Sequence, residues 1–346
     1  MRRFKIVLFV LLLAVGFILR LYRFDNPIAD WHSWRQADTS SVSREFLKNG
    51  FDILHPRFQD LSPAGSGREN PNGYRFVEFP IYNILQAGLF SLFNFLTLEQ
   101  WGRVVSIIAS LVSGILIFLI MRRRISFEAS FFASAFYILL PYNIYFGRVI
   151  LPDPMVVASF LGGIYFFDRW LDENPKLPGL AKRSGADKTQ NFFFIGLSIL
   201  FVSLSILLKP FALFFLLPIA LIAYQSFGLN ALKNYKLWMF AIIAILPFIL
   251  WRFWISQFPE GIPAYAWLFN DGNIRFKGSF FYWLFADRIG RIILGYWAVA
   301  LFVLGFLRKI DKEFLFFLSF LASSLLYLTV IAKGNINHDY YQILII

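Results

Sequence analysis

Long apolar runs, separated by short polar and basic segments, constrain the fold of this chain more than any other feature of its sequence. A helix that crosses a bilayer needs about 20 consecutive, mostly apolar residues. Hydrophobic residues make up 58% of the chain, against about 45–50% in soluble domains. The pattern predicts an all-α, polytopic integral membrane protein. The predicted spans are 6–21, 104–121, 127–146, 154–170, 191–208, 211–226, 237–255, 291–307 and 314–332, with a truncated span from 341.

The ends of the sequence add two expectations. The first apolar run ends in Leu19-Arg20-Leu21, without the small residues of a signal-peptide cleavage site, so we expect a retained first span. The last run, Tyr340–Ile346, is too short to cross a bilayer, so we expect further helices after it. We treat 1–346 as a single transmembrane domain with a long first external loop over 22–102.

Lysine and arginine residues predict the orientation of the spans. The formal net charge is +12, and the basic residues gather in short clusters between apolar runs. That distribution is typical of positive-inside orientation rather than of nucleic-acid binding. All clusters lie in the cytoplasm if the apolar stretch 79–97 is an interfacial helix instead of a span, and its Pro80, Asn83 and Gln86 favour that choice. The clusters are Arg2/Arg3/Lys5, Arg122/Arg123/Arg124, Lys176/Lys182/Arg183/Lys188, Lys233/Lys236 and Arg308/Lys309/Lys312.

With this orientation, chemically active side chains collect on the non-cytoplasmic side. Carboxylates beside Arg and Lys at the mouth of an apolar bundle suit a substrate with a lipid tail and a phosphate. Arg and Lys would hold the phosphate, and a carboxylate would deprotonate an attacking hydroxyl. The absence of cysteine excludes disulfides and thiolate chemistry. The candidate residues are Asp30, His32, Arg35, Asp38, Glu78, Arg148, Asp153, Lys209, Arg275, Lys277, His338 and Tyr340.

The order of short motifs along the chain resembles the GT-C membrane glycosyltransferases, in the branch of the protein O-mannosyltransferases and the lipid A aminoarabinose transferase. The resemblance runs over roughly the whole chain, and it depends on the order and common sidedness of motifs that are individually unspecific. These motifs are Asp38…Arg44-Glu45-Phe46…Gly50, Glu78-Phe79-Pro80, Gly102-Arg103, Pro141…Tyr145…Arg148…Pro152-Asp153-Pro154, Lys209-Pro210 and His338…Tyr340-Tyr341.

The resemblance implies a GT-C-type bundle whose long first external loop carries amphipathic interfacial helices. It implies inverting transfer of a sugar from a polyprenyl-phosphate donor to a protein, lipid or glycan hydroxyl, outside the cytoplasm of a plasma or inner membrane. Asp38 is the first candidate for the base, Asp30 the second, and Asp153 a third catalytic candidate. The other candidate residues would bind the donor phosphate or the substrates.

This chain departs from the family pattern at two places, and these departures limit which functional residues the resemblance implies here. Alignment on Arg44 places Arg35-Gln36 where relatives often have Asp-Glu. The loop 256–290 contains no histidine, so no zinc site is implied. A divalent metal is compatible with the sequence and is not required by it, because phosphate is already a good leaving group.

Simpler roles stay open for several residues. Asp38 fits the N-cap of a short helix over 39–49 that Gly50 would end. Arg148 and Lys209 fit span-end residues that reach to lipid headgroups. A lipid-linked-sugar transporter or flippase is the alternative function, and it predicts polar residues at mid-membrane depth. A non-catalytic assembly subunit is a third possibility.

Overall fold

The computed structural model describes residues 2–63, 65–172 and 188–346 and is built almost entirely of helices. Across these residues the only β-type pairing is an isolated antiparallel bridge between Arg57 and Tyr74. Lys176, Lys182 and Arg183 of the predicted basic clusters lie outside the described residues. The α-helices are α1 (Arg2–Arg20), α2 (Ser33–Asn49), α3 (Ile81–Leu92), α4 (Leu98–Arg122), α5 (Phe127–Leu139), α6 (Pro141–Phe146), α7 (Asp153–Asp172), α8 (Lys188–Leu208), α9 (Leu217–Phe227), α10 (Tyr235–Ile255), α11 (Trp267–Asn270), α12 (Gly278–Phe281), α13 (Trp297–Leu304), α14 (Lys312–Val330) and α15 (Ala332–Asn337). A π-helix covers Tyr282–Ile293, and 3₁₀ turns cover Pro210–Leu216, Gly228–Lys233, Pro259–Gly261, Asp271–Phe276, Gly305–Leu307 and Asp339–Ile345.

Several helices are long and apolar enough to cross a membrane. Within the described ranges there are four, Leu98–Arg122, Pro210–Lys233, Tyr235–Ile255 and Lys312–Val330, or up to five with one bent pair. The outer face of α10 exposes Ile242, Leu246 and Phe253. Apolar surface of this extent is typical of lipid contact rather than of water. The prediction of an all-α, multi-pass membrane protein is confirmed, while the individual spans and their orientation stay predictions.

Two predicted spans contain breaks that the sequence explains. The run 127–146 divides into α5 and α6 at Leu140-Pro141, where proline has no N–H for a helical hydrogen bond. The Asn143 side-chain amide donates to the Tyr137 carbonyl oxygen at 2.9 Å across the break. The run 291–307 crosses a bend of 104° between the arms Gly278–Ile293 and Trp297–Leu307, with Gly295 at the bend in a positive-φ conformation. Glycine accepts that conformation without steric cost.

Helix α3 is the segment whose placement fixed the predicted orientation. It has 12 residues, which is about 18 Å of helix and too short to cross a hydrocarbon core of about 30 Å. The polar side chains of Asn83 and Gln86, which favoured an interfacial helix over a span, are buried inside the protein. The Asn83 amide donates to the Thr39 carbonyl oxygen at 2.6 Å, and the Gln86 amide donates to the Leu98 carbonyl oxygen at 3.0 Å. These buried amides join α2, α3 and α4 because backbone groups inside the protein need partners.

The chain packs as two compact units. The first unit is Met1–Ala158, Leu207–Lys209 and Ile249–Ala266. The second unit is Ser159–Ile206, Pro210–Phe248 and Trp267–Ile346. The core of the second unit includes Phe280, Leu284 and Leu328.

Candidate active site

Helix α2 carries the candidate residues Arg35 and Asp38, and it starts earlier than the sequence predicted. It begins after His32, whose φ of 57° is left-handed, and it ends at Gly50, whose N–H donates to the Phe46 carbonyl oxygen at 3.0 Å. The predicted C-terminal glycine is confirmed. The N-cap interpretation of Asp38 is wrong, because Asp38 lies inside the helix and caps nothing. The His32 ring lies edge-on to Trp31 at 5.7 Å.

Asp38 belongs to a four-membered ion cluster between α2 and the segment before α3. Nη1 of Arg35 lies 2.6 Å from Oδ2 of Asp38, and Nη2 of Arg75 lies 2.7 Å from the same oxygen. Nη2 of Arg35 also donates to both Glu78 carboxylate oxygens, at 2.8 and 2.9 Å. All four side chains are at least four-fifths buried. Buried ion pairs keep a fixed geometry because breaking one leaves an uncompensated charge.

Arg75 points toward Asp38 because it lies next to Phe76 in an extended segment. Neighbouring side chains of an extended backbone point to opposite sides. Phe76 packs with Trp251 and Ile255 in an apolar cluster, and its N–H donates to the Gly261 carbonyl oxygen at 2.8 Å. The neighbouring Arg75 therefore points away from this cluster and toward Asp38.

A second buried arrangement is centred on Gln36, which the sequence analysis did not select. Its amide nitrogen lies 2.5 Å from Oδ1 of Asp30, and its amide oxygen accepts the N–H of Ile150 at 3.1 Å. Nη1 of Arg148 lies 3.5 Å from Oδ2 of Asp30, at the limit of a hydrogen bond. Asp30 thus pairs with Gln36 and Arg148, while Arg35 binds Asp38 and Glu78.

Asp153 and Lys209 form a third group in the same unit. Nζ of Lys209 donates to Oδ1 of Asp153, and both side chains are largely buried. The carbonyl oxygen of Leu207 accepts the N–H of Phe79 at 3.0 Å, which ties the Lys209 segment to the residue after Glu78. The expectation that Arg148 and Lys209 reach out to lipid headgroups is wrong, because both are buried or nearly so and face carboxylates.

One large cavity opens beside Asp38 in the first unit. Its volume is about 1050 Å³, at the upper end of the range of about 300–1,000 Å³ for ligand pockets. A second cavity, against Arg35, Glu78 and the other side of Asp38, has only about 10 Å³ and holds at most one water. A substrate therefore reaches Asp38 from the large cavity. The charged residues in the wall of the large cavity are Asp25, Asp38, Asp60, Glu99, Arg44, Arg75 and Arg103.

Two side chains of this wall have unused hydrogen-bonding atoms. Oδ1 of Asp38 is buried and has no hydrogen bond to any described residue. Arg103 donates through Nη1 to the carbonyl oxygens of Phe24 and Asn26, at 2.6 Å each, while its Nε and Nη2 have no partner in the described part of the chain. A buried unsatisfied atom costs about 1–3 kcal/mol, so such atoms point to a role beyond folding.

The electrostatics of the wall are nearly balanced. Arg44 pairs with Glu99 at 2.7 Å, and Arg75 pairs with Asp38. Hydrogen bonds from the side chain and backbone of Ser62 hold the pKa of Asp60 below its ordinary value, so this carboxylate is charged at neutral pH. The cavity is therefore polar without a strong excess of one charge.

The remaining candidates belong to the second unit. Nη2 of Arg275 donates to the Val330 carbonyl oxygen at 3.3 Å, and Lys277 is exposed. The His338 ring lies 5.3 Å from that of Tyr340, which is buried. The described residues of the whole chain hold no group of three or more His, Cys, Asp or Glu side chains placed to bind a metal ion.

Three residues of the first-unit site escaped the sequence analysis: Gln36, Arg75 and Arg103. Gln36 lies beside Arg35 in the most polar segment of the chain, and Arg75 lies three residues before Glu78. Arg103 is part of the Gly102-Arg103 motif and faces the same cavity. Proximity to selected residues was the available signal for all three.

The chain is a polytopic helical bundle with one large cavity in its first unit. The crystal structure of ArnT from Cupriavidus metallidurans in the apo state is similar to it, with a TM-score of 0.53 and 16% sequence identity. The match covers 93% of this chain and 59% of that chain, so the chain spans about three fifths of the length of ArnT. No protein-family model and no curated protein sequence matches this chain. At this identity the similarity establishes the fold.

Proposed function

We propose that this chain is a membrane glycosyltransferase that moves one sugar from a polyprenyl-phosphate donor to a hydroxyl acceptor on the non-cytoplasmic face. The observation that carries the proposal is the position of Asp38, in the wall of the large cavity of a GT-C-type fold, with one carboxylate oxygen unused.

In the proposed step, the acceptor hydroxyl oxygen attacks the anomeric carbon of the donor sugar. The bond from that carbon to the phosphate oxygen breaks, and its electron pair leaves with the polyprenyl phosphate. The hydroxyl proton passes to Oδ1 of Asp38. Attack opposite the leaving group inverts the anomeric carbon, and a positioned base contributes typically 10²–10⁴-fold to such a step.

Arg35 and Arg75 support the assignment of Asp38 because they fix one of its oxygens and leave the other for the proton. Their two hydrogen bonds to Oδ2 orient the carboxylate on helix α2. Orientation of a reacting group by buried charged partners is a large part of catalytic efficiency. Glu78 holds Arg35 in place and is a positioning residue in this proposal.

Arg148 and Lys209 are the proposed ligands of the donor phosphate in the first unit. Arg148 has only a long contact to Asp30, at 3.5 Å, and its guanidinium has further N–H groups with which it could bind a phosphate. Lys209 is paired with Asp153, which would orient its ammonium group. Asp30 stays the second candidate for the base. Asp153, His32, Arg275, Lys277, His338 and Tyr340 stay candidates for catalysis or substrate contact.

The test is the transfer activity of the full-length protein in membranes that contain polyprenyl-phosphate sugars. Asp38→Asn keeps the shape of the side chain and removes the base, so we expect transfer to fall by about 100-fold or more. Asp52→Asn is the matched control, since Asp52 is an exposed carboxylate away from the cavity wall. Unchanged transfer in Asp38→Asn would remove the proposed base, and unchanged transfer in Asp38→Asn with Asp30→Asn would remove both candidates.

A further inference from the structure

The wall of the large cavity contains an exposed tryptophan on the same helix as Asp38. The Trp34 side chain lines the cavity and is 54% exposed. It lies four residues before Asp38, which is one helical turn and hence the same face of α2. An indole ring is a large, rigid, apolar plane, and at this position it offers an aromatic face to a ligand in the cavity.

The rest of the wall supplies planar hydrogen-bonding groups. The amide side chains of Asn26, Gln59 and Gln100 line the cavity. Two of its arginines are already neutralised, Arg44 by Glu99 and Arg75 by Asp38. Nε and Nη2 of Arg103 are donors without a partner in the described residues, on a side chain that is 1% exposed. A polyanion would meet too many carboxylates here, whereas a neutral ligand rich in hydroxyl groups could use donors and acceptors alike.

The wall of the large cavity fits a peptide acceptor less well than it fits a sugar. Extended peptides are commonly held by backbone pairing at an exposed sheet edge. The described residues offer only the isolated bridge between Arg57 and Tyr74. The available chemistry is an aromatic plane surrounded by side-chain amides, carboxylates and guanidinium groups, which suits the faces and hydroxyls of a sugar ring.

We propose that the acceptor is a neutral carbohydrate whose ring stacks on Trp34 and whose hydroxyl reaches Asp38 along the same face of α2. Arg103 and the wall amides would bind its remaining hydroxyls. This inference rests on the proposed function, because only a transferase gives the glycan the role of acceptor, but the binding itself is independent of any catalysis.

The experiment measures ligand binding to the full-length Asp38→Asn protein in lipid nanodiscs, by saturation-transfer NMR. The probes are cellotriose, maltotriose, mannotriose and chitotriose, with a serine- and threonine-containing peptide as the competing class. We expect at least one trisaccharide to bind and the peptide not to bind. Adding Trp34→Ala should weaken trisaccharide binding by about tenfold, the scale of one lost aromatic contact.

Trp31→Ala is the matched control, because Trp31 is 62% exposed on the same segment and does not line the cavity. It should leave binding unchanged, and Trp34→Phe should keep most of the affinity if Trp34→Ala misfolds. The inference is overturned if no trisaccharide binds, if the peptide binds instead, or if Trp31→Ala and Trp34→Ala have equal effects. Trisaccharide binding in a protein that never cleaves a donor would refute the proposed function alone, and donor cleavage without any trisaccharide binding would refute this inference alone.

Discussion

Nη2 of Arg75 lies 2.7 Å from Oδ2 of Asp38, although the two residues are separated by 37 positions in the chain. The guanidinium group also lies over the Phe58 ring at 4.9 Å. Arg75 is thus held from two sides, by a carboxylate and by an aromatic face. Arginine is suited to such a position because its planar guanidinium group can stack on an aromatic ring while its N–H groups bind a carboxylate.

Replacement of Arg75 should therefore affect both activity and folding. We expect Arg75→Ala to lower the transfer rate by about 100-fold, because the Asp38 carboxylate loses one of two orienting partners. Arg35 would then face both Asp38 and Glu78, which leaves one buried negative charge uncompensated, so the stability loss should be about 3–5 kcal/mol. Transfer assays and thermal unfolding in detergent measure the two effects. Arg75→Lys should recover stability better than activity, and full activity in Arg75→Ala would contradict the positioning role.

The spacing of apolar residues in the sequence was enough to predict the helical fold. The hydrogen-bond partners of individual side chains could not be predicted in this way. Apolar runs of bilayer length predicted the all-α, polytopic fold, since only a helix satisfies its own backbone inside a membrane. The polarity of Asn83 and Gln86 argued against a lipid-buried helix, but it did not reveal their partners on α2 and α4, which are distant in the chain.

The candidate site shows the same limit. Asp38, the predicted base, lies in the wall of the large cavity, whereas its alternative role as an N-cap is excluded because helix α2 starts at Ser33. Gln36 was missed because its function depends on Ile150, which is 114 positions away. Residues joined by tertiary contacts leave no local pattern in a single sequence.

Gln36 gives the second prediction. Gln36→Ala removes the donor to Asp30 and leaves the buried N–H of Ile150 without an acceptor. We expect a loss of about 3 kcal/mol, the sum of a lost hydrogen bond and an unsatisfied buried group. Thermal unfolding of the purified protein measures it. Gln257→Ala, at an exposed glutamine, should change the unfolding temperature very little, and equal effects of the two substitutions would contradict the structural role of Gln36.

The buried pair of Asp153 and Lys209 gives the third prediction. Asp153→Asn or Lys209→Met alone leaves a buried charge without its partner and should destabilise by about 3–5 kcal/mol. The double variant removes both charges and should be less destabilised than the two single variants added together. A double-mutant cycle from thermal unfolding tests this coupling. Strict additivity would show that the two groups do not interact.

Glycine 102 gives the fourth prediction. A Cβ at Gly102 would lie 2.7 Å from Nε2 of Gln86 and 2.9 Å from a methyl carbon of Ile150. Gly102→Ala should therefore overpack the α3–α4 contact and destabilise by about 1–3 kcal/mol. Gly88 on α3 is the matched control, because a Cβ there meets nothing within 4 Å. Gly88→Ala should be neutral or stabilise by about 0.4–1 kcal/mol, and the opposite order of the two variants would contradict the packing.

The start of helix α14 gives the last prediction, which concerns pH. The backbone N–H of Phe314 donates to Oδ1 of Asp311 at 2.7 Å. This hydrogen bond, with a weaker contribution from Arg308, holds the pKa of Asp311 below its ordinary value, although desolvation acts the other way. A group whose pKa is lower in the folded state adds stability above its unfolded pKa, and that stability is lost as the pH falls through the folded pKa.

Asp311→Ala should therefore lower the unfolding temperature at neutral pH and have less effect as the pH falls through the folded pKa of Asp311, because the wild-type carboxylate then becomes protonated as well. Asp311→Asn is the control, because its side-chain oxygen can still cap the helix while it carries no titratable charge. The unfolding temperature of the Asn variant relative to wild type should rise as the pH is lowered. An Ala effect that stays constant from neutral to acid pH would show that the charged form of Asp311 adds nothing to the cap.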